Sequence, residues 1–169
     1  MPKAFDIDGI LVNFIDDIFL KTAYALGEKD IKELDRAAWG LSECFNLKPS
    51  TVHQIFNSDI YFDNMATASV DKRVLTKVGK NDILLTARSH DYKTIFCTNA
   101  WRQLHGIENS IVFCTAEKKV DYCLGNGFDT IIDDKADTLK TAIDCGLNVC
   151  SIKYDHNKDL WGNKEIEWI

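Results

Sequence analysis

The chain has 169 residues, 46% of them hydrophobic and 27% charged, and carries a formal charge of −6 at pH 7. That is one domain's worth of soluble globular chain, and its acidic balance (pI ≈ 5.2) lacks the broad positive field that polymeric nucleic acid requires. No apolar run reaches the roughly 18 residues of a membrane span, and Met1-Pro2-Lys3 leads straight into a strand rather than a signal peptide, so a cytoplasmic protein with no membrane partner is expected.

The first predicted strand is Lys3–Asp8, a short apolar entry (Ala4, Phe5) followed by Asp6, Ile7, Asp8 and then Gly9. Two carboxylates one residue apart at the carboxyl end of a strand repel each other unless a cation or a shared proton relieves them. In an open α/β sheet that end of the strand is where ligands bind. Only oxygen ligands are on offer, which points to a hard ion such as Mg²⁺. A calcium loop is excluded, because the glycine comes too early and Leu11 and Val12 follow it.

From Asn13 to Asn81 no good strand is found. Ile15–Leu20 and Ile31–Phe45 place apolar residues at helical spacing, and Pro49–Phe56 reads as a fresh helix start. The expectation is a helical cap over residues 14–81, inserted beside the carboxyl end of the first strand and placed to act as a lid. The alternative is a helical subdomain that only adds core.

Four further strands follow with helices between them: Asp82–Thr86, Ser110–Cys114, Thr130–Asp133 and Asn148–Lys153. All are short and apolar on both faces, as parallel strands covered by helices are. Gly146 reads as a helix stop before the last of them. The expected fold class is α/β: a Rossmann-type parallel sheet flanked by helices, with core residues 1–13 and 82–169. The six cysteines form no C-x-x-C pair and the four histidines are scattered. Zinc and a disulfide framework are therefore not expected, and a reducing compartment is. Trp39 and Trp101 are assigned to packing.

The other strand ends also carry chemistry. Thr86-Ala87-Arg88 brings a hydroxyl and a guanidinium, Thr115-Ala116-Glu117-Lys118-Lys119 two ammonium groups, and Asp133-Asp134-Lys135 a second carboxylate pair. Singly, each has a bland reading as a cap or a solvated helix face. Together they place carboxylates, a hydroxyl and a cation at four strand ends of one crevice.

The order Asp-x-Asp-Gly, Leu-Leu-Thr, Lys, Ile-Asp-Asp resembles the four motifs of the haloacid dehalogenase (HAD) superfamily, from Lys3 to about Lys153. A closer likeness is to the 5'(3')-deoxyribonucleotidases, through Asp6–Phe14, Ile60-Tyr61-Phe62-Asp63-Asn64 and Ile132–Lys135. The chain departs from that pattern where Thr-Ser is usual and Thr86-Ala87 stands here, and in a longer stretch between the lysine and the Asp pair. The resemblance implies a Mg²⁺-dependent phosphatase for small phosphorylated substrates, nucleoside monophosphates first, and it admits a homodimer. Asp6 would be the nucleophile and Asp8 the general acid and then base, with its backbone carbonyl on the metal. Asp134 would ligate the metal directly and Asp133 from farther out, while Thr86 would bond a phosphate oxygen. Lys118 by local context, or Lys119 by distance to the acidic pair, would stabilise the phosphate. Phe14, Tyr61 and Phe62 would stack on a base, the alternative being that Phe14 and Phe62 simply seal the cap against the core. Ala87 and Arg88 would face the substrate, with Arg88 either gripping phosphate or pairing with Asp91.

Overall fold

A computed structural model describes residues 1–34 and 40–169; Trp39 lies outside the described residues. Six parallel strands form one sheet in the order β3-β2-β1-β4-β5-β6. They are β1 Lys3–Phe5, β2 Ile83–Thr86, β3 Ile111–Phe113, β4 Thr130–Ile132, β5 Asn148–Ser151 and β6 Ile166–Trp168. The α/β parallel sheet expected from the sequence is thus observed, with one strand more at the edge.

Each of the five predicted strands is a residue or more shorter than the apolar pattern predicts. β1 stops at Phe5 because the chain turns at once: the N–H groups of Leu11 and Val12 both donate to the Ile7 carbonyl, and Gly9 N–H donates to Val12 O. Asp82 does not extend β2. Its carboxylate instead brackets two neighbours, accepting from Lys3 N–H at 2.8 Å and Gly79 N–H at 2.7 Å.

Both faces of the sheet are covered. Phe5, Leu84, Ile132 and Cys150 point into one core, while Ala4, Leu85, Ile131 and Val149 point into the other. This strict alternation, with no solvent-facing side, explains why the strands read as continuous apolar runs. The second core is closed by α7 (Lys119–Gly125) and α8 (Ala136–Asp144), through Val120, Cys123, Leu139 and Ala142. The first is closed by α6 (Tyr92–Leu104), through Cys97 and Trp101, and by helices that precede β2.

Those preceding helices begin with a π-helical segment, Phe14–Leu20, that runs into α1, Lys21–Ala25. Asn13 caps its start by accepting from Asp16 N–H. They continue as α2 (Leu41–Cys44), α3 (Pro49–Phe56), α4 (Asp59–Thr67) and α5 (Lys72–Leu75). Pro49 opens α3, where its missing N–H costs nothing. The predicted helix over Ile31–Phe45 is corrected at its start: Ile31–Leu34 is not helical, Leu41–Cys44 is, and residues 35–39 lie outside the described residues. Leu34 N–H donates to Cys44 O and Asn46 N–H to Lys32 O, so Ile31–Leu34 runs extended alongside residues 44–46. Cross-strand hydrogen bonds win there over helical spacing. Helix α4 packs along α6, which ties the inserted helices to the sheet.

Candidate active site

The strand order reverses at β1, so the loops after β1 and β4 part and leave a crevice at their carboxyl ends. A cavity of about 800 Å³ opens there. Its floor is built by residues that immediately follow β1 and β4, with Lys119 added from the start of α7. Asp6 N–H still donates to Ile132 O at 2.8 Å, which fixes the loop after β1 against the end of β4.

Lys119 organises this floor. It is the first residue of α7 and only 2% exposed. Its ammonium lies 2.6 Å from Asp6 Oδ2 and 2.7 Å from Asp133 Oδ2. Burial works against its charge, yet Asp6 and Asp133 outweigh that and hold it firmly protonated. Lys118, one residue earlier, is exposed and does not line the cavity. The structure therefore separates two lysines that the sequence left open.

Asp6, Asp133 and Asp134 are all buried, and each offers an oxygen within 4.8 Å of the other two. Burial drives the Asp6 carboxyl well above the ordinary range; Lys119 opposes this, while Asp133 and Asp134 add to it. Burial also raises Asp134, partly offset by His156, whose Nε2 sits 3.0 Å from Asp134 Oδ2. Three crowded carboxylates against one lysine leave excess negative charge among buried side chains. A divalent cation fits that deficit and would return the raised groups toward the ionised form. Asp133 is already engaged on both oxygens, by Lys119 and by Lys135 N–H at 2.9 Å. Asp6 is engaged likewise, at Oδ2 by Lys119 and at Oδ1 by Ile7 N–H at 2.7 Å, so of the three Asp134, paired with His156 through Oδ2, is the most available ligand.

Gly9 makes the approach of the two loops possible. Its φ is +84°, and a Cβ there would land inside the Asp134 carboxylate. Asp8 is held differently from the other three acids. Its two oxygens accept from Arg88 Nε at 2.8 Å and Nη2 at 2.7 Å. Arg88 thus pairs with Asp8 and not with Asp91, whose carboxylate caps α6 by accepting from Thr94 N–H and Thr94 Oγ1. Those bonds lower Asp91 to about 2. Thr86 is fully buried; its Oγ1 accepts from Arg88 N–H at 3.2 Å, and it does not line the cavity. Exposed Ala87 does line it.

The wall facing this floor is aromatic. Phe14 stacks on Phe56 at 6.4 Å, Phe56 meets Tyr61 edge-on at 5.1 Å, and Tyr61 meets Phe62 at 5.5 Å. Phe14, Tyr61 and Phe62 all line the cavity. Trp101 does not; it is buried beneath Arg88, with the guanidinium 6.0 Å from its ring centroid.

The cavity also holds residues that the sequence did not single out, and two of them sit beside the acids. Tyr154 and His156, after β5, stack at 5.2 Å, and His156 reaches Asp134. They sit at a strand end like the other groups, and that position was the available signal. Among the described residues, no helix is long and apolar enough to cross a membrane.

No family model and no curated protein matches the chain. Solved structures do. A haloacid dehalogenase-like family hydrolase from Streptococcus pneumoniae is 14% identical, with a TM-score of 0.61 over 99% of this chain and 92% of that one. CbbY from Rhodobacter sphaeroides, solved with xylulose-(1,5)bisphosphate, is 12% identical, with a TM-score of 0.53 over 99% and 92%. A predicted phosphoglycolate phosphatase from Haemophilus somnus is 16% identical, with a TM-score of 0.52 over 90% and 85%. The shared feature is the haloacid dehalogenase-like fold.

Proposed function

We propose that the protein is a Mg²⁺-dependent phosphomonoester hydrolase that works through a phosphorylated Asp6, and that nucleoside monophosphates are its substrates. The observation that carries this reading is the Asp6 carboxylate, held 2.6 Å from a buried lysine beside two further buried carboxylates at the switch point of the sheet. A carboxylate poised in this way is a nucleophile for an electrophilic phosphorus, and the lysine offsets charge on the group being transferred.

In the first half-reaction an Asp6 oxygen forms a bond to phosphorus, and the bond from phosphorus to the ester oxygen breaks. Asp8, on the same loop, takes up a proton from solvent before this half begins and passes it to the leaving alkoxide. In the second half a water oxygen attacks phosphorus, its proton passes to Asp8, and the bond from Asp6 to phosphorus breaks. Lys119 stays close to Asp6 throughout. Mg²⁺, when held by Asp6 and Asp134 with Asp133 nearby and the Asp8 backbone carbonyl, supplies charge neutralisation for the phosphoryl group. The helices of residues 14–81 act as the cap.

The aromatic wall supports a nucleobase over a small hydrophilic group, because Phe14, Tyr61 and Phe62 offer ring surface within the cavity that holds the acids. The neighbours named for phosphoglycolate and seen with xylulose bisphosphate supply the competing substrates. The test is phosphate release, with Mg²⁺, from deoxy- and ribonucleoside monophosphates against phosphoglycolate and sugar phosphates. Nucleotides are expected to turn over fastest. If simple sugar phosphates outpace all of them, the nucleotide assignment falls and the hydrolase assignment stands.

A further inference from the structure

Arg88 is a buried cation inside the site, and the reaction as written gives it no task. Its side chain is 5% exposed, against 26% for Asp8. Three contacts hold it from behind: Nη1 donates to Thr98 Oγ1 at 3.2 Å, the backbone N–H donates to Thr86 Oγ1, and the guanidinium lies over Trp101. Thr98 belongs to α6 and itself touches Met65 Sδ of α4. The arginine is therefore anchored in the rigid layer under the cavity. A group fixed there, with its fork already spent on a carboxylate, is badly placed to reach out and grip a phosphate.

What it can do is orient Asp8. The backbone of Asp8 is fixed by the hydrogen bonds among Ile7, Gly9, Leu11 and Val12. Its side chain would otherwise be free to turn toward the acidic cluster or toward solvent. A planar fork binding both oxygens fixes the rotamer and the plane of the carboxylate together. Each oxygen keeps a second lone pair, so the exposed edge remains able to accept a proton.

We propose that Arg88 is a positioning residue, which holds the Asp8 carboxylate as the base for the hydrolytic half of the reaction. This rests on the phospho-Asp6 reading above. In that half, a water oxygen bonds to phosphorus and its proton goes to Asp8. The bond from phosphorus to Asp6 breaks, its electron pair returns to the Asp6 carboxylate, and inorganic phosphate leaves. Without Arg88 the phosphorylated chain forms but empties slowly.

The experiment is turnover of p-nitrophenyl phosphate with Mg²⁺, quenched in acid and followed by intact-chain mass, for wild type, Arg88→Met, Arg88→Lys and Asp8→Asn. Nitrophenolate is a good leaving group, so the first half depends little on a proton donor. For Arg88→Met the phosphorylated fraction at steady state is expected to rise about tenfold, less than the roughly hundredfold or more that a positioned acid–base group itself contributes, because Asp8 is still present. Arg88→Lys keeps the charge without the fork and recovers only part of the loss. Asp8→Asn accumulates the same species, and the double variant is no worse than either single one, because both act on one step. A raised KM with no phosphorylated chain would overturn the proposal in favour of phosphate binding by Arg88. Equal slowing of both halves, with a lowered Tm, would overturn it in favour of a purely structural ion pair. If wild type neither turns over the ester nor binds inorganic phosphate, the hydrolase reading falls and takes this one with it.

Discussion

On the floor of the cavity, Lys119 stands within 2.7 Å of two carboxylates, whereas the opposite wall is made of phenyl and phenol rings 5 to 6.5 Å apart, such as Phe14 on Phe56 at 6.4 Å and Phe56 on Tyr61 at 5.1 Å. The two regions differ in what a small error costs. Coulomb energy between buried groups changes steeply with distance and with one missing charge, so the floor tolerates almost no substitution. Ring contacts are individually small and adapt, so the wall can change its substrate without losing the site. Chemistry belongs to the first region and selectivity to the second.

The comparison breaks most visibly at Asp6. Replacing it with Asn keeps the shape and removes the nucleophile, and phosphate release from any ester should fall by about a thousandfold or more, roughly 4 kcal/mol of barrier. A rate equal to wild type would sink the covalent route. Lys119→Met comes next. It strands Asp6 and Asp133 without their cation, with an expected loss of about 3–5 kcal/mol in chemical unfolding. Added Mg²⁺ should restore part of that loss, and no restoration would mean the cation binds elsewhere.

The floor should also show in its pH dependence. Asp6 and Asp134 are raised in the folded chain, so without metal their contribution is fully present at acid pH and is lost as pH rises through the raised values. A bound cation reverses that sign by favouring the ionised form. The stability gain from Mg²⁺ should therefore grow from acid toward neutral pH, reaching about 2.7 kcal/mol at a hundredfold excess over Kd. A gain independent of pH would show that these carboxylates are not the ligands.

On the wall, Phe14→Ala should raise KM for nucleotides about tenfold, since stacking on a base is worth roughly 1–3 kcal/mol, while leaving KM for a small sugar phosphate close to wild type. Equal effects on both would return Phe14 to a packing role. The smallest effect is expected at Lys118→Ala. Its exposed side chain lies outside the cavity, and kinetics indistinguishable from wild type would sharpen the contrast with its buried neighbour.

The sequence by itself determined the five central strands of the sheet, because short runs apolar on both faces have few other ways to be buried, whereas the edge strand β6 came only with the tertiary structure. It also determined which strand ends carry acids, since Asp6, Asp8, Asp133 and Asp134 follow directly from where β1 and β4 must stop. Only the tertiary structure decided the partners. Whether Lys118 or Lys119 enters depends on the phase with which α7 begins, and one residue turns a helix by about 100°. Arg88 reads equally well as a phosphate ligand or a partner of Asp91 until the loop after β1 brings Asp8 against it. His156 is one scattered histidine in the sequence and a neighbour of Asp134 in space. Strand ends are set by local pattern, whereas ion pairs join residues 14 to 113 positions apart, and no local pattern encodes that distance.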